Sequence, residues 1–163
     1  MNNHIYKPKS KLAVKNLQVS VKSIQNGAVS SRDWQPLHTD QNWAISEGKL
    51  PNIIMNNYTL NGLIIKYITD LYGHASRVGK VSFKMKRPIC PGDSLEFHGM
   101  VIQTIKIDES KLWVEVDLLI KSHEGEFAKA KIYVAVNEND GDEASPWKLS
   151  PSNWKSSLKL CQN

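Results

Sequence analysis

The sequence predicts an α+β domain in which a curved antiparallel β-sheet wraps one long, buried helix. Between Asn56 and Gly73, apolar residues recur every three or four positions, which is the period of an amphipathic helix. After Gly73 the period falls to two, and successive segments alternate apolar and polar residues as half-buried strands do. A single helix beside this many strands is best buried if the sheet curves around it.

The central helix is the clearest single element. Its apolar positions are Leu60, Leu63, Ile64, Tyr67, Ile68 and Leu71. Lys66 and Asp70 fall on a narrow polar stripe, so most of the helix circumference should be covered by other structure. Asn56 and Asn57 are good capping residues, and Gly73 is a natural stop.

Strands are predicted on both sides of this helix along the chain. Residues 17–21 alternate in polarity and precede a loop rich in Ser, Asn and Gly. A short helix is expected within residues 39–48, capped by Thr39 or Asp40. Beyond the central helix, strands are expected at residues 81–87, 94–107, 111–121 and 126–137.

Length and composition indicate one domain. The chain has 163 residues, of which 40% are hydrophobic and 23% are charged, as in ordinary globular proteins. We expect this domain to span residues 1–140. Residues 141–163 are expected to form a tail that drapes over the domain or over a partner, or that is partly disordered, because Trp147 and Trp154 are nearly its only apolar anchors.

The composition also argues against several function classes. The net charge of +5 comes from scattered Lys and Arg without a basic block interleaved with aromatics, so we expect no nucleic-acid binding. No apolar run is long enough to span a membrane, and the N-terminus lacks the apolar run of a signal peptide, so we expect a cytoplasmic protein. Metal-ligand spacings and Gly-rich dinucleotide loops are missing, so we expect no metal, nicotinamide or flavin.

The segment SRDWQPLHTDQNWA, residues 31–44, carries the strongest functional signal. Asp33 precedes His38 by five positions, and Pro36 between them restricts the backbone conformation of the loop. A carboxylate held beside an imidazole can bind a water molecule through hydrogen bonds and exchange protons with it. The same spacing also suits a solvated turn or a helix cap, so spacing alone leaves both interpretations open.

This segment resembles the signature of the MaoC-like hydratases and dehydratases, which include the (R)-specific enoyl-CoA hydratases. That signature is Gly-Asp-x-Asn-Pro-Leu-His, five further residues, and then Ala or Ser. Asp33, Pro36, His38 and Ala44 match its spacing. The resemblance extends over residues 15–136 and implies the hotdog fold, a long helix wrapped by an antiparallel sheet. It also implies a hydratase that adds water to a trans-2-enoyl thioester, or a dehydratase that removes water from a 3-hydroxyacyl thioester.

By position, the resemblance assigns Asp33 and His38 as the catalytic dyad that holds the water. The backbone N–H of Asn57, at the start of the helix, takes the place of the family's hydrogen-bond donor to the thioester oxygen. The candidate substrate-binding residues are Trp34, Gln35, Met55, Asn56 and Tyr58. Packing in the core is the alternative role for Met55 and Tyr58. The substrate would be carried by CoA or by acyl carrier protein.

The sequence departs from the family pattern at three places. Arg32 replaces the usual Gly before the aspartate, and Gln35 replaces Asn. Asn56-Asn57 replaces the His-Gly pair at the helix start, which adds a side chain where the thioester carbonyl would approach. The dyad residues themselves are retained.

Two other functions stay open. The chain could be a hotdog subunit that binds an acyl thioester within a heteromeric complex without turning it over alone. The resemblance implies a homodimer, or a hetero-oligomer with another hotdog subunit, because such proteins join their sheets edge to edge. An acyl-CoA thioesterase is disfavoured, since many of these place a carboxylate on the first turns of the central helix, and residues 56–69 contain no Asp or Glu.

Overall fold

The computed structural model describes residues 3–138 and 145–161 of the chain. Its α-helices and strands, in chain order within each type, are α1 (Val21–Ser30), α2 (Gln41–Ser46), α3 (Asn57–Tyr72), α4 (Pro151–Leu158), β1 (Lys15–Gln18), β2 (Arg77–Met85), β3 (Ser94–Lys106), β4 (Lys111–Ser122) and β5 (Gly125–Asn137). Single turns of 3-10 helix add to these, and the one at Pro36–His38 lies within the segment that carries the dyad residues.

The five strands form one antiparallel sheet in the order β1-β3-β4-β5-β2, so β1 and β2 are its edges. Apolar residues meet across the central strands; Val116 pairs with Val101 on one side and with Ile132 on the other. Helix α3 packs on this face, which we call the inner face, and the opposite side is the outer face. A long helix held against an antiparallel sheet is the hotdog fold, which confirms the predicted fold class.

The core lies between α3 and the inner face. Leu60, Ile64 and Ile68 of α3 are completely buried, and the side chains of Val114 and Val134 are completely buried on the sheet side. Removing this apolar surface from water is the main stabilising term of the fold, at roughly 25 cal/mol per Å². The helical period read from the sequence therefore identified the face that is buried.

The ends of α3 also follow the prediction. The Asn56 side chain accepts a hydrogen bond from the Thr59 N–H and caps the first turn. Gly73 follows the last turn with φ of 82°, a left-handed conformation that glycine adopts without steric cost. The prediction of a helix from the Asn pair to Gly73 is confirmed.

The segment after the first strand was predicted as a loop, and this is wrong. Strand β1 ends at Gln18, and residues 21–30 form helix α1. Ser20 and Ser23 form a reciprocal capping box, each side chain accepting from the other's backbone N–H at 3.0 Å. Only Ile24 and Ala28 of this helix are buried, so its apolar stripe is too short to be seen in the sequence.

Gly27 lies inside α1, although glycine is a poor helix former, because α1 packs very close to α3 at this position. A Cβ atom at Gly27 would lie 2.0 Å from Thr59 Oγ1, so only glycine allows α1 to approach the first turn of α3 this closely. This contact brings the C-terminal end of α1, and the segment that follows it, to the start of the central helix.

The other predicted elements agree with the structure to within a few residues. The strands expected at 94–107, 111–121 and 126–137 correspond to β3, β4 and β5. The short helix is α2, and its N-cap is Asp40, whose side chain accepts from the Trp43 N–H at 3.0 Å. The turn before β3 contains Gly92 with φ of 96°, as a tight turn at this position requires.

The described part of the tail, residues 145–161, packs on the outer face. Trp113 points to that face and is completely buried; its ring lies 5.1 Å from the ring of Trp154. Its indole N–H donates to the carbonyl of Ser157 at 3.1 Å. The guanidinium of Arg77 lies 3.7 Å from the Trp154 ring and 4.8 Å from the Trp147 ring. The first residues of the predicted tail, up to 144, lie outside the described residues.

Three further observations concern the described residues 3–138 and 145–161 only. None of their helices has the length and apolar character needed to cross a membrane. They also contain no group of three or more His, Cys, Asp or Glu side chains placed to hold a metal ion. Cys90 and Cys161 are both free thiols.

Candidate active site

The two dyad residues are positioned by the segment that leaves α1. The backbone N–H of Asp33 donates to the carbonyl of Ala28 at 2.9 Å, so the chain turns back against α1. Arg32, between them, has φ of 55°, the left-handed conformation that glycine adopts most easily. The Pro36–His38 turn then closes with the His38 N–H donating to Gln35 at 3.1 Å.

The structure brings the carboxylate and the imidazole together. His38 Nε2 lies 3.2 Å from Asp33 Oδ2. The other ring nitrogen, Nδ1, lies 2.7 Å from the carbonyl oxygen of Ile54. The His38 residue is 6% exposed, while the Asp33 side chain is 20% exposed, so the pair is open on the aspartate side. The carboxylate is therefore the more exposed member of the pair.

Asn56 joins the dyad to the start of α3. Its side-chain nitrogen lies 3.0 Å from Asp33 Oδ2 and 2.8 Å from the hydroxyl of Ser31. Its side-chain oxygen accepts from the Thr59 N–H at 2.9 Å and from the Thr59 hydroxyl at 2.6 Å. Asn56 is only 3% exposed, and every polar atom of its amide has a partner.

The first turn of α3 provides backbone donors beside the dyad. Within the described chain, the N–H groups of Asn57 and Tyr58 have no hydrogen-bond acceptor, as expected for the first positions of a helix. The aligned peptide dipoles also favour negative charge at this end of the helix. The site thus combines an acid–base pair with donors suited to an oxygen that gains negative charge.

A cavity of about 200 Å³ connects these groups. It is lined by Asp33, His38, Ile54, Met55, Asn56, Asn57, Tyr58 and Met85. Its apolar wall comes from two methionines: Met55, which is buried, and Met85, at the end of the edge strand β2. Tyr58 is 68% exposed and stands at the rim.

Two of the predicted substrate-binding residues do not line this cavity. Trp34 is 71% exposed, and the side chain of Gln35 is exposed and does not cap the turn that follows it. Met55, Asn56 and Tyr58 do line it, as does Asn57. Asn56 has all of its amide atoms engaged within the protein, so the structure places it as a support for Asp33.

Sequence reasoning missed four residues that shape the site. Ile54 contributes only its carbonyl oxygen, and no side-chain pattern could have identified it. Ser31 and Thr59 act through Asn56, a contact that depends on α1 meeting α3. Met85 lies beside the dyad because β2 is at the sheet edge, which the strand pattern alone does not reveal.

A larger cavity, about 560 Å³, lies on the outer face and is distinct from this site. The lysines in its lining include Lys131, paired with Glu115, and Lys129, paired with Glu126. Paired strands form its floor, and their backbone N–H groups already donate hydrogen bonds within the sheet. The smaller cavity is the better candidate because it contains both the acid–base pair and unpaired backbone donors.

This chain is similar to known proteins in sequence and in fold. A 3-oxo-4,17-pregnadiene-20-carboxyl-CoA hydratase beta subunit of Mycobacterium tuberculosis is 30% identical over 78 residues, which are 48% of this chain and 60% of that subunit. The matched stretch therefore spans less than two thirds of the curated relative.

Solved structures share the fold. The structure of the ChsH1-ChsH2 complex from Mycobacterium tuberculosis matches with a TM-score of 0.71 and 22% identity, covering 80% of this chain and 98% of that chain. The (R)-hydratase from A. caviae involved in PHA biosynthesis matches with a TM-score of 0.66 and 21% identity, covering 78% and 95%. The family model described as "MaoC like domain" matches residues 6–121, which include the dyad segment, α3 and strands β1 to β3. This chain therefore belongs to the MaoC-like family of hotdog proteins.

Proposed function

We propose that this protein is a hydratase or dehydratase that adds water to a trans-2-enoyl thioester, or removes it from a 3-hydroxyacyl thioester. The observation that carries the proposal is the 3.2 Å contact between His38 Nε2 and Asp33 Oδ2, in one cavity with the amides that begin α3. The dyad would hold the reacting water, and the Asn57 N–H would bind the thioester oxygen as it gains enolate charge.

The reaction matches the groups in the cavity. Addition of water across a conjugated double bond changes no oxidation state overall, so the proposed reaction calls for no redox cofactor. The thioester oxygen needs a hydrogen-bond donor, and the cavity contains backbone N–H groups at a helix N-terminus. We take CoA as the carrier, with acyl carrier protein as the other choice, and the cytoplasm as the compartment.

A second hotdog subunit would complete the site. The cavity of about 200 Å³ is smaller than the roughly 300–1,000 Å³ of typical small-molecule sites. Met85 lies on edge strand β2, whose outer edge can pair with another chain, and Tyr58 is exposed beside it. We therefore propose a dimer in which a partner strand at β2 closes the acyl-binding space, with a homodimer as the first choice and a hetero-oligomer as the second.

A non-catalytic subunit is the second candidate. It is favoured by the similarity to a protein named as a hydratase beta subunit and by the fold match to a chain of the ChsH1-ChsH2 complex. The retained dyad argues for catalysis by this chain itself. A thioesterase has less support, because the carboxylate of α3 is Asp70, at the far end of the helix and paired with Lys15 and Lys66.

The deciding experiment follows the ultraviolet absorbance of the conjugated thioester. The purified full chain is incubated with crotonyl-CoA and then with longer enoyl-CoAs, beside the His38→Ala variant. Loss of the enoyl absorbance with the wild-type chain alone is the expected result. Silence of a folded wild-type dimer across the whole series would exclude these enoyl-CoA substrates and favour either a substrate carried by acyl carrier protein or the non-catalytic subunit.

A further inference from the structure

The protonation state of the dyad follows from which atoms can donate. The carbonyl oxygen of Ile54 can only accept, so His38 Nδ1, at 2.7 Å, must carry a hydrogen. The remaining nitrogen, Nε2, faces Asp33 Oδ2 at 3.2 Å. If His38 were neutral and Asp33 ionised, two acceptors would face each other. One proton must therefore lie between these two atoms, either on the imidazole or on the carboxyl group.

The orientation of the Asn56 amide decides between these two positions. The Thr59 backbone N–H can only donate, so the Asn56 atom at 2.9 Å from it must be the oxygen. The amide nitrogen is then fixed on the other side, 3.0 Å from Asp33 Oδ2. It also lies 2.8 Å from the Ser31 hydroxyl, whose hydrogen is directed to the carbonyl of Gly27 at 2.8 Å. Asn56 therefore donates to both neighbours.

A hydrogen bond donated to a carboxylate oxygen favours its ionised form. We infer that Asn56 is a positioning residue that holds Asp33 ionised and His38 protonated, so that the two begin the reaction as a base and an acid. This inference rests on the proposed hydration. It assigns which dyad residue removes the proton from water and which one delivers a proton to C2. Thr59 and Ser31 support it by fixing the orientation of the Asn56 amide.

The proton transfers then balance. Water attacks C3 of the enoyl thioester, and its departing proton goes to the Asp33 carboxylate while the C2–C3 π electrons move toward the thioester. The His38 imidazolium delivers its Nε2 proton to C2 and becomes neutral. The new proton passes from Asp33 to His38 across the 3.2 Å contact, which restores the starting pair. One water molecule is consumed, and the protein is unchanged.

The inference can be tested without turnover by nitrogen-15 NMR of histidine-labelled protein at neutral pH. The His38 signals are identified by their loss in a His38→Gln variant. We expect both ring nitrogens of His38 to be protonated in the wild-type chain. In Asn56→Ser, serine keeps the helix cap but is too short to reach Asp33, so Nε2 should become unprotonated. A neutral His38 in the wild type, or an unchanged imidazolium in Asn56→Ser, would overturn the inference.

Kinetics provide a second, independent test. Asn56→Asp preserves the size and capping ability of the residue but replaces the donor to Asp33 with a carboxylate. A proton shared between the two carboxylates would block the base, so we expect kcat to fall by about 100-fold at neutral pH with little change in KM, and the pH profile of kcat to change. Ser150→Asp, at the cap of α4 on the outer face, is the matched control and should behave like the wild type.

The outcomes separate this inference from the proposed function. If the wild-type chain turns over neither enoyl-CoA nor enoyl-acyl carrier protein, the proposed function is wrong, and the NMR measurement still decides where the proton lies. If the wild type is active but Asn56→Asp keeps its kcat and its pH profile, the hydratase assignment stands and the role of Asn56 is wrong.

Discussion

Two regions of this molecule hold their side chains in different ways. Around the dyad, Ser31, Asn56 and Thr59 form a chain of hydrogen bonds that ends at Asp33 and leaves a cavity. On the outer face, the tail buries Trp113 by packing Trp154 and Leu158 against it. Directional bonds fix the position of reactive atoms, whereas close packing contributes stability. Substitutions in the first region should therefore change chemistry, and those in the second should change stability.

The largest effect is expected from the dyad. Asp33→Asn or His38→Ala removes a proton-transfer group, a contribution of typically 10²- to 10⁴-fold in rate. Both residues lie outside the main apolar core, so the free energy of unfolding should change far less than the rate. Enoyl-CoA turnover and urea unfolding of the same samples measure both quantities. Full activity in either variant would rule out the dyad.

The opposite behaviour is expected on the outer face. Trp154→Ala removes the ring that covers Trp113 and stacks on the Arg77 guanidinium at 3.7 Å. Since Trp154 is only partly buried, the loss should be about 2 kcal/mol of unfolding free energy, below the value for a fully buried Trp. Turnover per folded molecule should be unchanged. A variant with wild-type stability would show that the tail does not contribute to the fold through this contact.

A polar group on the outer face sharpens the comparison. Glu115 is 3% exposed and accepts from Lys131 and Gln103, each at 2.6 Å. Burial raises the pKa of Glu115, but these hydrogen bonds outweigh it and the pKa lies below its ordinary value. A lowered pKa in the folded state means that this group stabilises the fold at neutral pH and loses that contribution as the pH falls.

Replacement of this carboxylate should therefore depend on pH. We expect Glu115→Gln to lower the unfolding free energy by about 1–2 kcal/mol at pH 7, because Lys131 loses its charged partner. The difference from the wild type should shrink below about pH 4, where carboxylates begin to protonate in unfolded chains. Urea unfolding of both proteins across this range measures it; a constant difference at all pH values would contradict the role of the charge.

How much could be predicted from the sequence depends on how local the signal is. The period of α3, its cap and its glycine stop are local, and the strand alternation gave β3, β4 and β5. Helix α1 was missed because its stability depends on contact with α3 through Gly27. The Asp33–His38 contact followed from a signature, but the Ile54 carbonyl and the Thr59 hydroxyl reach the site only through tertiary structure.

The smallest effect concerns Arg32, which lies beside the dyad in a left-handed conformation with φ of 55°. A non-glycine residue in this region costs roughly 1–2 kcal/mol, while glycine costs about 0.5–1 kcal/mol in unfolded-chain entropy. Arg32→Gly should therefore raise the unfolding free energy by about 0.5–1 kcal/mol. Because the exposed Arg32 side chain has no assigned role in the dyad, turnover should stay within about twofold of the wild type.

A matched control lies far from the dyad in the sequence. Lys9 is also exposed and has φ of 67°, so Lys9→Gly relieves the same kind of backbone strain. Equal gains in the two variants, measured by urea unfolding, would mean that the strain at Arg32 is an ordinary turn effect. If Arg32→Gly instead loses activity while Lys9→Gly does not, the arginine side chain takes part in the reaction or in substrate binding. The functional site would then include the exposed, charged side chain of Arg32 in addition to the buried hydrogen-bonded residues around the dyad.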